Sequence, residues 1–455
     1  MATGILFEQI CGAGNRMILL LILFLFECVV CFILRNIGLM VIVESDSAQI
    51  VMLMINLFIG TYALLHENSN EQPGVQNALT IGFALRIFMI LWDIYATRIF
   101  ILPNSHLDTE SFQRTAVLYM QQGGDVNAYS VFLGTLYRII GVQRLTAEYV
   151  NLLLCYISIY LFRYMLKDFD VSEKVRDRAL IAAALLPNYM IVSVILLREC
   201  LISTLLTASL VCFVRWWKRG GAHFFILSIL LTVLAGQYHS GSLSAGGGYA
   251  LLFVLTKRGE AEERIFHISF SALVKAAAVV AVFIYAYSTM QDKLFGRIYV
   301  TDLSQLDNYF NEHRSFSVIE SSDSSHYSAG VAGLSGFTNI IVNTPIRLVS
   351  YLLAPAPWDW RGFTDVFAFF FSSALYIYAV WVGARSLRRQ FANRDMMVAL
   401  IILCACSALT FAWGVESAGS ALRHRIKIVY FFFLLYALTG EGENSNYKVC
   451  NGVSW

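Results

Sequence analysis

Apolar and polar positions along this chain fall into long blocks and do not alternate. Apolar stretches occupy 17–34, 49–65, 78–101, 147–166, 179–197, 200–214, 222–236, 243–256, 268–289, 365–384, 396–414 and 425–439. A helix of roughly 20 apolar residues crosses a bilayer, and its backbone satisfies its own hydrogen bonds where no water can. The pattern therefore predicts an all-α polytopic membrane protein with about 12 transmembrane helices. The runs 200–214, 222–236 and 243–256 are short, which leaves room for a half-helix or re-entrant piece. No soluble domain, heptad run or clear internal repeat stands out, so residues 1–455 read as a single transmembrane domain. The run at 17–34 has no small-residue cleavage site after it and reads as a retained helix, not a signal peptide.

Polar connections orient these blocks. Four are rich in Lys and Arg: Arg163/Lys167/Lys174/Arg176/Arg178, Arg215/Lys218/Arg219, Lys257/Arg258/Arg264 and Arg385/Arg388/Arg389/Arg394. Positive residues collect on the cytoplasmic side, and the predicted spans put all four connections on one side. Both termini are then cytoplasmic. The outer side carries two long loops containing amphipathic helices, at about 102–146 and 290–364. It also carries short turns at 198–199, 237–242 and 415–424. Loops that long are uncommon unless they are functional or disordered.

Composition agrees with a membrane protein. The chain is 58% hydrophobic and 14% charged, where a soluble domain carries about a quarter charged residues. A net charge of +2 without a long basic run excludes nucleic acid as a partner. Most cysteines lie in or beside apolar runs and none lies in the long outer loops, so no disulfide scaffold is expected. Cys28 and Cys31, spaced as C-x-x-C inside an apolar run, read as packing residues.

The first outer loop predicts two helices. One runs to about Gln122 with Phe112, Ala116, Tyr119 and Met120 on one face, suited to lying in the membrane surface. Gly123-Gly124-Asp125 ends it. A second follows from about Ala128 to Ile140 with Tyr129, Phe132 and Leu136 on one face. Asp108 and Glu110 stand at the start of the first helix. There a carboxylate either caps the helix and meets its dipole or serves as a general base or metal ligand at headgroup level.

Other outer residues have paired readings. Arg198 can snorkel or pair with Glu199, or its fork of donors can hold a phosphate. His239 in Gln237-Tyr238-His239-Ser240-Gly241 either bonds a carbonyl or accepts a proton. Gly246-Gly247-Gly248 lacks the flanks of a phosphate loop and predicts close helix packing. The second loop ends in Pro345-Ile346-Arg347 and Pro355-Ala356-Pro357-Trp358-Asp359-Trp360-Arg361. Its Trp residues suit an interfacial anchor or a face for sugar rings. Arg423, His424 and Arg425 open the last apolar run on the side where cations are disfavoured, which points to phosphate binding. Arg86, Asp93 and Arg98 lie in the third run, and some of these charges are expected to pair between helices.

Four short segments carry a family resemblance over about residues 80–439. Asp108-Thr109-Glu110-Ser111-Phe112, leading to Ala116 and a Tyr-bearing amphipathic helix, resembles the first periplasmic loop of bacterial membrane glycosyltransferases of the GT-C type. Pro187 with Arg198-Glu199 resembles the apolar–Arg–acidic turn of the same broad group. The Pro-x-Pro-Trp-acidic string and the Gly-x-Ala-x-Arg-x-Arg string at 419–425 resemble segments of surface-polysaccharide assembly proteins. That loop usually follows the first span and here follows the third. Either two helices have been added, or the likeness is to a sister group such as surface-polysaccharide polymerases.

The resemblance implies a sugar donor carried on polyprenyl phosphate or pyrophosphate, a glycan or glycolipid acceptor, and transfer at the outer face of a bacterial cytoplasmic membrane. It puts Asp108 or Glu110 in the place of the catalytic acid residue, with His239 as a further base candidate. Arg198, Arg347, Trp358, Arg361, Arg423, His424 and Arg425 become the substrate-binding set. No nucleotide cofactor is expected, since the lipid-linked donor is already activated, and a divalent cation is left open. The rival reading is a flippase for lipid-linked oligosaccharide. Transporters hold substrate near the midplane, often between repeated halves, whereas these candidates crowd one end.

Overall fold

The computed structural model describes residues 71–106, 108–169, 171–258, 336–387, 394–415 and 417–450, with shorter stretches within 60–68 and 264–281. The expected spans at 17–34 and most of 49–65, Cys28, Cys31 and the middle of the second long loop lie outside the described residues.

Helix is the dominant element. Among the described residues, five helices are long and apolar enough to cross a membrane: α1 (Pro73–Tyr95), α4 (Arg144–Asp168), α7 (Glu199–Arg219), α11 (Phe363–Ser386) and α12 (Arg394–Trp413). Shorter apolar helices occupy Ala222–Tyr238, Ser240–Leu255, Ile341–Leu353 and Val429–Thr439. The chain divides into two compact units, Met1–Tyr160 with Leu180–Cys200 and Leu161–Ala179 with Leu201–Trp455.

In the first unit, α2 (Asp108–Gln122) and α3 (Ala128–Ile140) form a helical hairpin. Gly123 and Gly124 turn the chain at φ of 71° and 105°, angles that cost a Cβ-bearing residue. Asn127 caps α3 by accepting from the Ser130 N–H at 2.9 Å. The apolar face of α2 packs against α3. Ala116 is buried, and Phe112 meets Tyr129 edge to face at 5.0 Å. Gly134 permits the approach, since a Cβ there would sit 2.7 Å from the Ala116 carbonyl oxygen. The buried hydrophobic side chains on α3 are Tyr129, Leu133 and Tyr137, so the face is rotated from the expected Tyr129/Phe132/Leu136 stripe.

The run 179–197 is not one span. α5 (Glu173–Leu185) ends before Pro187, α6 (Pro187–Val192) is short, and irregular chain leads to α7. Pro187 has no N–H for the preceding turn. Buried non-helical backbone requires partners within the protein. Asn151 donates to the Ile195 and Leu197 carbonyls at 2.9 Å each. Arg86 donates to the Ala184 carbonyl at 2.7 Å and the Ser193 hydroxyl at 2.9 Å. Gly82 makes room, for a Cβ there would lie 2.8 Å from the Ala184 oxygen.

The second unit holds α8 (Ala222–Tyr238), α9 (Leu243–Leu255), a hairpin of β1 (Thr256–Arg258) and β2 (Arg264–Phe266), α10 (Gly336–Leu353), α11, α12, α13 (Ala418–Ile426) and α14 (Val429–Cys450). α10 lies within the connection at 290–364, where the sequence predicts amphipathic helix. The Gly246–Gly248 run packs closely, as its spacing predicts. A Cβ on Gly248 would meet Leu403 at 2.9 Å, and one on Gly246 would meet Thr232 at 3.3 Å.

Three of the basic connections adjoin. Arg219 bonds Asp168 at 2.8 Å, Lys218 donates to the Asp168 carbonyl at 2.6 Å, and the Arg264 guanidinium lies 3.6 Å from the Trp216 ring centroid. Burial, with Arg258 nearby, lowers the Arg264 pKa from its ordinary value. Connections that charge counting assigns to one side of the membrane therefore meet each other.

Candidate functional site

Polar groups gather separately in each unit. In the first, Arg144 opens α4 and joins three carboxylates from three helices. Its Nη2 bonds Asp93 Oδ2 at 3.0 Å, its Nε bonds Glu148 Oε1 at 2.7 Å, and its Nη1 bonds Glu110. Asp93 and Glu148 are fully buried side chains, while that of Glu110 is 39% exposed. Asp93 thus pairs between helices, as expected of a charge in an apolar run. Glu110 is tied to the bundle by this ion pair. Asp108, two residues earlier in the first turn of α2, is exposed. Beside it, Thr109 is buried and its hydroxyl accepts from the His106 N–H at 2.9 Å. Arg198 lies with its guanidinium 5.6 Å from the Phe112 ring centroid. The 102–146 connection and the 198–199 turn, far apart in sequence, are therefore neighbours.

The second unit brings together the turns at 237–242 and 415–424. His239 and His424 stand with ring centroids 4.7 Å apart, and both flank Phe411, at 5.4 Å and 5.3 Å. His239 ends α8, and its Nδ1 accepts from the Gly241 N–H at 3.2 Å. Position 241 admits no Cβ, which would fall 2.8 Å from Phe411. Lys427 is buried, with its Nζ 3.0 Å from His424 Nδ1 and 5.5 Å from the Phe411 ring centroid. Ser417 caps α13 by accepting from the Ser420 N–H at 3.2 Å, and Arg423 is half-buried on the last turn of that helix. Arg347 lies over Trp413 at 4.7 Å, and the indole N–H of Trp413 donates to Thr344 at 3.1 Å. Glu416 lies outside the described residues.

Arg425 differs from its neighbours. It is fully buried. Its Nη1 donates to the Leu352 carbonyl at 2.6 Å and the Ser373 hydroxyl at 3.1 Å, and its Nη2 donates to the Ala354 carbonyl at 2.6 Å. Leu352 is in the last turn of α10, where carbonyls lack helical partners, and Pro355 cannot extend the helix. Most of the Arg425 fork that the sequence assigns to phosphate is thus engaged in closing a helix end.

Trp358 is 75% exposed and Arg361 is exposed. The Arg361 backbone N–H donates to Asp365 at 2.9 Å. Burial raises the Asp359 pKa from its ordinary value. No group of three or more His, Cys, Asp or Glu residues with metal-binding geometry occurs among the described residues.

Sequence reasoning passed over Arg144 and Lys427. Arg144 and Glu148 stand at i and i+4, and His424 and Lys427 at i and i+3, which are helix-face spacings. Those signals are visible in the chain but too common to single out a site. No known family model, characterised protein or solved structure matches the chain.

Proposed function

We propose that this protein is a glycosyltransferase or polysaccharide polymerase of a bacterial cytoplasmic membrane, with about 12 spans and both termini inside. It transfers sugar from a polyprenyl-linked donor to a glycan or glycolipid acceptor at the outer face. One observation carries the reading: the turns assigned to the outer side by charge counting meet at His239 and His424, bringing imidazoles and a buried ammonium together. The resemblance of the Asp108–Phe112 and 419–425 segments points the same way.

In the reaction, the acceptor hydroxyl attacks the anomeric carbon of the donor. The bond from that carbon to the phosphate oxygen breaks, and polyprenyl phosphate or pyrophosphate leaves. Asp108 takes the hydroxyl proton. Glu110 positions α2 through Arg144. Negative charge growing on the leaving group is stabilised by cations and N–H donors, a role for which the sequence resemblance names Arg198, Arg347, Arg423 and His424. Trp358 and Arg361 offer an exposed ring face and a cation to the sugar.

The test is product formation from a polyprenyl-linked sugar by purified protein in nanodiscs. Asn caps a helix about as well as Asp, so Asp108→Asn retains the fold and lowers turnover by roughly a hundredfold or more. Near-normal turnover removes Asp108 as the base. In spheroplasts, an impermeant thiol reagent reaches Gln122→Cys and not Lys174→Cys, each made in a background without native Cys; the reverse pattern overturns the orientation. A second reading, lipid-linked oligosaccharide flippase, is favoured by the helix broken at Pro187, since transporters use discontinuous helices. Movement of lipid-linked sugar across a bilayer without any glycosidic product would select it.

A further inference from the structure

Arg144 holds two carboxyl groups that are closed off from solvent, and its charge balances only one carboxylate. The side chains of Asp93 and Glu148 are fully buried. Each gives one oxygen to the guanidinium, Asp93 Oδ2 at 3.0 Å and Glu148 Oε1 at 2.7 Å. The other two oxygens, Asp93 Oδ1 and Glu148 Oε2, are buried without a hydrogen-bond partner. Glu110 reaches the same guanidinium from α2 and brings a third carboxylate. Among the described residues, no second cation pairs with Asp93 or Glu148.

A buried oxygen without a donor is costly, and a buried charge without a counter-charge more so. A metal ion or a proton meets both needs. A metal ion that takes oxygen ligands wants several of them, and no group with metal-binding geometry occurs among the described residues. A proton needs only two oxygens that approach each other. The Asp93 and Glu148 carboxyls are within hydrogen-bond reach of one another. Two carboxylates repel at that range, whereas an acid donates to a carboxylate. One proton also closes the buried charge balance, leaving one guanidinium, one carboxylate and one neutral acid.

We infer that Asp93 and Glu148 form a proton-binding site, in which one proton is shared between the two carboxyls and Arg144 balances the charge that remains. The proton belongs to the pair and not to either residue. The site goes beyond the transfer reaction proposed above and does not depend on it. It acts on α2 through Arg144. When the proton leaves for solvent, a second negative charge stands beside the guanidinium. That charge competes with Glu110 for Arg144 and loosens the start of α2.

Infrared difference spectroscopy of the purified protein in a carbonyl-free detergent tests this, reading the C=O stretch that an acid has and a carboxylate lacks. A protonated-acid band is expected at neutral pH in the unaltered protein, with its loss on alkaline titration. Asp93→Asn and Glu148→Gln are each expected to lose that same band, since either change leaves the other partner as a carboxylate beside Arg144. Backbone amides at 109–113 are expected to exchange hydrogen faster as the band disappears, and to show no such rise in Glu148→Gln. Absence of the band from the unaltered protein overturns the site, and that measurement survives a misfolded variant. A band kept by both variants belongs to another carboxyl and overturns it equally. A band lost from one variant and kept in the other overturns the sharing. An unfolding temperature raised by sodium or calcium, with no acid band, puts a metal cation in place of the proton. Unchanged exchange at 109–113 across the titration overturns the link to α2.

Discussion

Arg144 in the first unit and Arg425 in the second are both largely buried guanidiniums, yet their surroundings differ. Arg144 meets three carboxylates. Arg425 meets two carbonyls and a hydroxyl, with its guanidinium 5.2 Å from the Tyr376 ring centroid. One site balances charge with opposite charge. The other replaces water with backbone dipoles at a helix end that needs donors. Arg86 belongs with Arg425, for it closes the end of α5 in the same manner. A buried arginine is therefore not a ligand site by default: where a helix breaks in an apolar bundle, the guanidinium is one of the few groups that can satisfy several carbonyls at once.

The largest effect separating the two is expected at Arg144. Arg144→Met leaves Asp93 and Glu148 buried without their cation and should cost about 3–5 kcal/mol of stability, read as a fall in thermal unfolding temperature in nanodiscs. Adding Asp93→Asn and Glu148→Gln should restore part of the loss, because the uncompensated charges are gone. Failure of that rescue would mean the carboxylates are not what Arg144 balances.

A smaller effect is expected at Arg425. Arg425→Lys keeps the charge, cannot span Leu352, Ala354 and Ser373 with one planar fork, and should cost about 1–3 kcal/mol. Polyprenyl-phosphate affinity per folded molecule should not change. Weakened affinity with unchanged stability would return Arg425 to the phosphate set and dissolve the contrast with Arg144.

Glu110→Gln should show the least. The side chain is partly exposed and its amide can still accept from Arg144, so the change should stay within about 1 kcal/mol. A loss of turnover as deep as that of Asp108→Asn would make Glu110 the base and Asp108 the spectator.

Some of this was legible before any coordinates. The two helices α2 and α3 followed from Phe112/Ala116/Tyr119 periodicity, the Gly123-Gly124 break and the 128–140 run, because local signals act within one helix turn. The packing of Gly246–Gly248 was legible too, since residues without side chains in an apolar run serve close approach. That α2 and α3 pack against each other was not: periodicity marks which face is buried and does not say against what. Arg425 was read as a ligand because a cation on the outer side looks functional in sequence, while the orphan carbonyls of α10 that engage it lie about seventy residues away.

The sequence by itself determined a chain of apolar helices, and it set the expectation of basic connections on one side and polar residues on the other, since burial in lipid and charge placement act on each segment directly. Only the tertiary structure decided that 179–197 breaks at Pro187, that Glu110 is bound to Arg144, that Arg425 closes a helix end, and that His239 meets His424 and Lys427. Those outcomes depend on which donors and acceptors come within 3 Å of each other across long stretches of chain, and hydropathy carries no record of such pairings.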